Sequence, residues 1–355
     1  MRILLWPIHG GYTDAFVRGA HEYLLAAPGE RPGEDGGISG WGWERARAVA
    51  VRSLRQFDFD LVVLQRPEEP ALVEQLTGRV PGRDVPAVYL EHNTPGPSAF
   101  ATRHPLGDQR EIPIVHVTHF NRLFWDNGEA PTAVVEHGVP DPGPLYTGEL
   151  PRIAAVVNEP VRRWRATGTD LLPEFTREAP VDVFGIDAGC LTDAFPGHPE
   201  ICPVESLPPR RLHAQLSRRR VYLHPFRWTS LGLSLLEAMH LGMPVVALAT
   251  TEAGRAVPAD AGAVSTDVDE LRRAVRTLLH EPEWAAEVGA RARRHALTRY
   301  GLPAFLARWD EVLAETVDAT RRAGRERRRR PAAEDRPYAK TGGNTTTTLS
   351  ARAGA

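Results

Sequence analysis

The chain has 355 residues, 42% of them hydrophobic, and a formal net charge of −2. That is enough apolar material for two ordinary domain cores, and the charge excludes the global basic field that draws a protein to nucleic acid. No run approaches the roughly 20 apolar residues of a membrane-spanning helix. The two cysteines, Cys190 and Cys202, supply neither a disulfide framework nor a zinc set, which suits a cytoplasmic protein.

The opening apolar stretch is too short for a signal-peptide core and reads as a first buried strand over residues 2–8. Further short apolar runs predict strands over 61–64, 87–90, 114–117 and 133–135. Helices are expected between them over 13–25, 70–76 and 120–126. Strands apolar on both faces, alternating with helices, imply a parallel sheet covered on two sides. The Gly- and Pro-rich segment 30–42 reads as a surface loop. Asp58 and Asp60 form an Asp-x-Asp pair, the kind that holds a metal in some transferases. It precedes a strand, whereas ligand sites follow the carboxyl ends of strands, so it reads as a turn and no metal is expected.

Proline and glycine crowd the segment 138–145, which can continue neither a helix nor a central strand and so marks a domain linker. The rhythm then restarts. Strands are predicted over 153–157, 181–184, 221–224 and 244–248, and helices over 169–178, 209–218, 231–241, 268–280 and 284–299. Residues 302–320 form one more amphipathic helix, with Phe305, Leu306, Trp309 and Val312 on one face. The expected organisation is α/β: a first domain over 1–140 completed by the 302–320 helix, a second over 145–301, and a disordered tail over 321–355. That tail is arginine-rich and nearly devoid of apolar residues. A solvated segment is the first reading of it, and weak peripheral contact with acidic lipid headgroups the second.

The segment 222–247 carries the most chemistry. It reads as strand, loop, helix, tight turn and strand. Gly232 stands where the helix opens, so backbone N–H groups there can approach an anion. Glu237 lies inside an otherwise apolar helix, where a carboxylate needs hydrogen-bond donors, and a ribose diol is a suitable pair. Gly242, Pro244, Val245 and Val246 then turn directly into the next strand.

In this order of residues the chain resembles the retaining GT-B glycosyltransferases of family 4, also known as group 1 glycosyltransferases. Their signature is Glu-x7-Glu followed by Ala-x-x-x-Gly-x-Pro-Val-Val. Its second Glu falls on Glu237, and the rest on Ala238, Gly242, Pro244, Val245 and Val246. The resemblance implies a GT-B fold, with two doubly wound Rossmann-like domains facing a central cleft. It also implies metal-independent transfer of a sugar from a nucleotide-sugar donor to a hydroxyl acceptor, with retention and without a separate cofactor. Glu237 would then grip the ribose, with Gly232, Leu231, Ser230 and Thr229 beside the donor. Thr229 occupies the place of the signature's first Glu, a departure at the position that contacts the donor sugar.

The family's phosphate-binding Arg falls on Arg162, and a following Lys on Thr167, a second departure for which Arg163 or Arg165 can supply the charge. Gly10 and Gly11 match the family's Gly-rich loop, or form a plain tight turn. His92 matches a strand-end His near the reacting carbon, with a capping or buried structural role as its alternative. His119 and Asn121 follow a strand toward the same edge and are candidates for touching the acceptor. Glu136 and His137 stand in the pre-linker motif, with His137 in place of an Asn. Thr229 and Thr167 also motivate a second functional reading, a GT-B protein that binds nucleotide or glycan without turnover.

Overall fold

Runs in which successive residues are all buried belong in strands covered on both faces, and they form the centres of two sets of strands. The computed structural model describes residues 1–29, 36, 38–96 and 98–329. The first set comprises β1 (Arg2–Leu5), β2 (Glu22–Ala27), β3 (Ala46–Ala50), β4 (Leu61–Leu64), β5 (Ala87–Glu91), β6 (Ile114–His116) and β7 (Thr132–Val134). They form one sheet in the order β3-β2-β1-β4-β5-β6-β7. The second set comprises β8 (Leu150–Val156), β9 (Val181–Phe184), β10 (Ile201–Val204), β11 (Arg219–His224), β12 (Val245–Leu248) and β13 (Gly262–Ser265), in the order β10-β9-β8-β11-β12-β13. Every pairing between these strands is parallel. Each sheet therefore reverses its winding once, between β1 and β4 and between β8 and β11. Those two switch points open crevices at the carboxyl ends of the strands.

Several elements differ from the sequence-based expectation. The helix expected over 13–25 is a shorter helix, Gly10–Phe16, followed by a turn and then β2. From Tyr23 to Ala27 β2 is buried on both faces, and such a run has no period that separates strand from helix. The strands β3, β10 and β13 were not anticipated. Each has partly buried, mixed residues and lies at or near a sheet edge. The helix expected over 169–178 divides into a 3-10 turn, Thr169–Leu171, and a short helix, Leu172–Phe175.

The C-terminal helix spans Leu302–Arg329, so residues 321–329 are helical where a disordered tail was expected. Once the packed half is fixed, each further residue adds a hydrogen bond without a new nucleus. Arg, Ala and Glu propagate a helix well, and the last-turn arginines offset the helix dipole. The remainder of the expected tail, 330–355, lies outside the described residues, as does most of the 30–42 loop. Within that loop Ile38–Trp41 makes a 3-10 turn whose Trp41 stacks on Trp43.

The C-terminal helix returns to the first sheet. Phe305, Trp309, Val312 and Leu313 are buried in one core with Ile3, Leu5, Tyr12 and Val115. Each such side chain contributes roughly 1.5–3 kcal/mol of burial, and Trp309 Nε1 donates to Tyr12 Oη at 2.9 Å. The chain crosses between the sheets twice, side by side: the Val139 N–H donates to the Tyr300 carbonyl at 2.9 Å. Gly138 passes so close to Phe305 that a Cβ there would lie 2.3 Å from its Cβ. At the amino ends of β1 and β4, Asp60 accepts the Arg2 N–H at 2.7 Å, at the other end of these strands from the crevice.

Candidate active site

The two switch points face one another across a cavity of about 590 Å³. From the second sheet it is lined by the loop after β11 and the start of the Leu233–Leu241 helix: Phe226, Trp228, Thr229, Ser230, Leu231, Gly232, Leu233, Ser234 and Glu237. Loops after β8, β9 and β10 add Asn158, Arg163, Gly185, Ile186, Ser206 and Leu207. The first sheet contributes His9, Gly11, Tyr12 and His92, together with Trp41 and His137.

The end of the cavity at the start of the Leu233–Leu241 helix is set by local sterics. Gly232 caps the Leu233–Leu241 helix in an ordinary extended conformation, φ −71° and ψ 125°. Its lack of a side chain matters for another reason. A Cβ there would lie 2.7 Å from His224 Cε1, and His224 is buried against the Phe226 ring at 4.2 Å. Burial pushes the His224 imidazole down to about 3, so it is a neutral wall. The helix therefore presents its first N–H groups and its positive end to the cavity. One turn on, Glu237 lines the same cavity. His213 Nε2 lies 3.6 Å from Glu237 Oε1, and no protein donor within hydrogen-bonding reach satisfies that carboxylate among the described residues. Tyr222 donates to Ser234 Oγ at 2.9 Å and holds the first helical turn from beneath.

The loop after β8 settles which arginine faces the cleft. Arg162 pairs with Glu159, is well exposed and does not line the cavity. Arg165 pairs with Asp170 at 3.1 Å and is likewise outside it. Arg163 lines the cavity, half-buried, with no ion-pair partner among the described residues. Burial and then the neighbouring Arg162 push its guanidinium below the usual arginine value. The short helix carrying both arginines, Pro160–Arg163, is flanked by two non-glycine residues at positive φ, Glu159 at 52° and Trp164 at 32°. Strain of this kind gathers where a loop is held for function.

Thr167 is fully buried and bonds Thr169 Oγ1 and the Trp164 carbonyl, so it cannot reach a ligand. Next to it Gly168, at φ 70°, packs so tightly that a Cβ would sit 1.8 Å from the Pro225 carbonyl oxygen. The Arg227 and Trp228 N–H groups both donate to the Ala166 carbonyl. These contacts lock the β8 and β11 loops together.

On the opposite wall Gly11 approaches Leu233 of the second sheet's helix, with 3.3 Å left for a Cβ. Gly10 does not line the cavity and packs under Trp41. His92 Nε2 meets Gln65 Oε1 at 2.8 Å. Gln65 Nε2 donates to the Trp6 carbonyl at 2.6 Å, so its oxygen is the group left for His92. That assignment makes His92 Nε2 the protonated nitrogen and leaves Nδ1 as an acceptor. Burial first, then His9 and His137 nearby, hold this imidazole well below its usual value. His137 is buried with neither ring nitrogen partnered among the described residues and is pushed down to about 4, chiefly by burial.

His119 and Asn121 are not part of this cavity. His119 is exposed, and Asn121 is fully buried with its amide unpartnered among the described residues. Their short helix instead meets the second domain, where Glu252 accepts the Phe120 N–H at 2.8 Å. Sequence reasoning missed Tyr12, Trp41, Trp228, His213 and the Gly185–Ile186 and Ser206–Leu207 loops. The 206–207 loop follows β10, and with that strand unrecognised its loop had no signal. Trp41 carries none at all.

Residues 199–295 match the family described as Glycosyl transferases group 1. In three dimensions the chain is similar to HepE from Anabaena, solved in complex with UDP, at 14% identity and a TM-score of 0.68, covering 89% of this chain and 100% of that one. It is also similar to sucrose-phosphate synthase from Thermosynechococcus elongatus, at 14% identity and a TM-score of 0.67, covering 90% and 100%. This is the GT-B fold, with a group 1 glycosyltransferase segment in its second domain. At these identities the GT-B likeness speaks for architecture alone. The chain matches no curated protein in sequence. Among the described residues of this GT-B protein, no helix is long and apolar enough to cross a membrane.

Proposed function

We propose that the protein is a cytoplasmic, metal-independent glycosyltransferase that moves a sugar from a nucleotide-sugar donor to a hydroxyl acceptor with retention of configuration. The observation that carries this reading is the convergence in one interdomain cavity of Glu237, the open end of its helix and Arg163, which has no ion-pair partner among the described residues. Glu237 has no hydrogen-bond donor among the described residues and suits the two hydroxyls of a ribose. The helix N–H groups and Arg163 suit a diphosphate, where charge accumulates as the donor bond breaks. The acceptor hydroxyl attacks from the face the leaving phosphate occupies, so no carboxylate nucleophile is needed. His92, neutral and fixed by Gln65, offers an acceptor nitrogen on the opposite wall. The relative from Anabaena was also solved with UDP-glucose, which makes UDP and its sugars the first probes.

A second reading, a nucleotide- or glycan-binding protein without turnover, is favoured by Thr229 in the donor-sugar position and by the buried Thr167. The test is a thermal-shift screen of nucleoside diphosphates and nucleotide-sugars against wild type and Glu237→Ala. A ligand at 100 times its dissociation constant stabilises the folded state by about 2.7 kcal/mol. Removing a charged hydrogen-bond acceptor worth about 1.5–3 kcal/mol should weaken the response roughly 10- to 100-fold in concentration. A wild type that responds to no nucleotide refutes the donor site. Sugar turnover that vanishes in Glu237→Ala refutes the binding-only reading.

A further inference from the structure

We infer that the acceptor carries an aliphatic chain, seated in an apolar groove that Trp228 shares with the cleft; this rests on the transferase reading above. Beside the main cavity lies a second one of about 450 Å³, lined by Pro95, Gly96, Ala99 and Trp228, with no charged residue among them. Trp228 lines both cavities. Its one polar atom is already satisfied, since Nε1 donates to the Pro95 carbonyl at 3.1 Å. What the indole offers a ligand is therefore apolar surface. Phe120 and Phe124 hold the ring edge-on, at 5.4 and 6.0 Å.

The groove belongs to the acceptor's side of the site. Its lining residues Pro95, Gly96 and Ala99 follow closely in the chain on His92, Asn93 and Thr94, which line the main cavity. Two large apolar side chains stand exposed on the segments that flank it. Phe100, next to Ala99, is 92% exposed, and Leu123, on the helix that holds Trp228, is 79% exposed. Single exposed apolar residues are ordinary, but these two lie on segments that adjoin a groove whose Trp228 also lines the main cavity. A free sugar or other fully polar acceptor gains nothing from such a surface. A chain running out of the cavity over Trp228 gains up to about fourfold in affinity for each fully buried methylene.

The test is isothermal titration of methyl, hexyl and octyl β-glucoside, below their micelle concentrations, with and without the nucleoside diphosphate giving the largest thermal shift. Octyl glucoside should bind at least tenfold more tightly than methyl glucoside. Ala99→Glu, which places a carboxylate in the groove, should bring the octyl compound down to the methyl level. Phe100→Ser, at a fully solvated side chain that cannot unfold the domain, should remove part of the gain. Equal binding of methyl and octyl glucoside in wild type overturns the inference, as does a tenfold gain that survives in both variants. Neither variant lines the donor cavity, so both should keep the nucleotide response. An absent nucleotide response with the octyl preference intact refutes the donor site instead and leaves an apolar site with another ligand.

Discussion

Replacing Gly232 with Ala isolates the steric feature that opens the start of the Leu233–Leu241 helix to the cavity, where a donor diphosphate is proposed to sit. The backbone at Gly232 suits any L residue, φ −71° and ψ 125°, so the substitution introduces no torsional strain. Its whole effect comes from one added carbon, 2.7 Å from His224 Cε1 and 3.5 Å from Phe226 Cε2. His224 is 3% exposed and packed under Phe226, so it has nowhere to turn. Overpacking of this kind costs about 1–3 kcal/mol, or about 2–4 °C in melting temperature per kcal/mol for a domain of this size. The loop carrying Leu231 and Gly232 is the part that can move, so nucleoside diphosphate affinity should fall about tenfold or more. Melting curves and UDP titrations on wild type, Gly232→Ala, His224→Ala and the double variant form a cycle. The double variant should recover part of both losses, because truncating the imidazole clears the space. Strictly additive effects, or a Gly232→Ala protein that melts and binds like wild type, would refute the steric argument.

Arg163→Ala should weaken nucleoside diphosphate binding about 10- to 100-fold, the worth of charged hydrogen bonds. Arg162→Ala, which removes only the exposed pair with Glu159, should change it less than about threefold. The reverse order in a UDP titration would show that the wrong arginine has been placed at the phosphate. Acid should unfold the protein early. His116, His137 and His224 are held neutral by burial, at about 4, 4 and 3 against 6.5 for an exposed imidazole. The unfolded chain binds the extra protons, so this stability is complete above about pH 6.5. It is lost as pH falls toward those lower values, at up to about 1.4 kcal/mol per pH unit per histidine. Urea melts between pH 7.5 and 4.5 should show that slope, and His137→Gln should flatten it. Trp309→Ala should destabilise the first domain by about 3–5 kcal/mol, since it empties a core site and leaves the Tyr12 hydroxyl without its donor. Near-native denaturant resistance in that variant would mean that the C-terminal helix is dispensable to the first domain.

The sequence by itself determined the parallel α/β character, because runs such as Leu61–Leu64 and Val245–Leu248 are apolar at every position. It also placed Glu237 and Gly232, since their spacing lies within one continuous strand–helix–strand unit. Edge strands such as β10 and β13 were not legible, because a half-buried strand of mixed residues lacks the apolar run that marks a central one. Only the tertiary structure decided what surrounds Glu237. The choice of Arg163 over Arg162 depends on how Glu159 at positive φ turns the loop. Why position 232 excludes a side chain depends on a histidine from the neighbouring strand. Trp41 and Trp228 reach the cleft through two loops with no mutual spacing in the chain. Periodicity reports which face of an element is buried, whereas a site between two domains is made by residues whose nearness only packing creates.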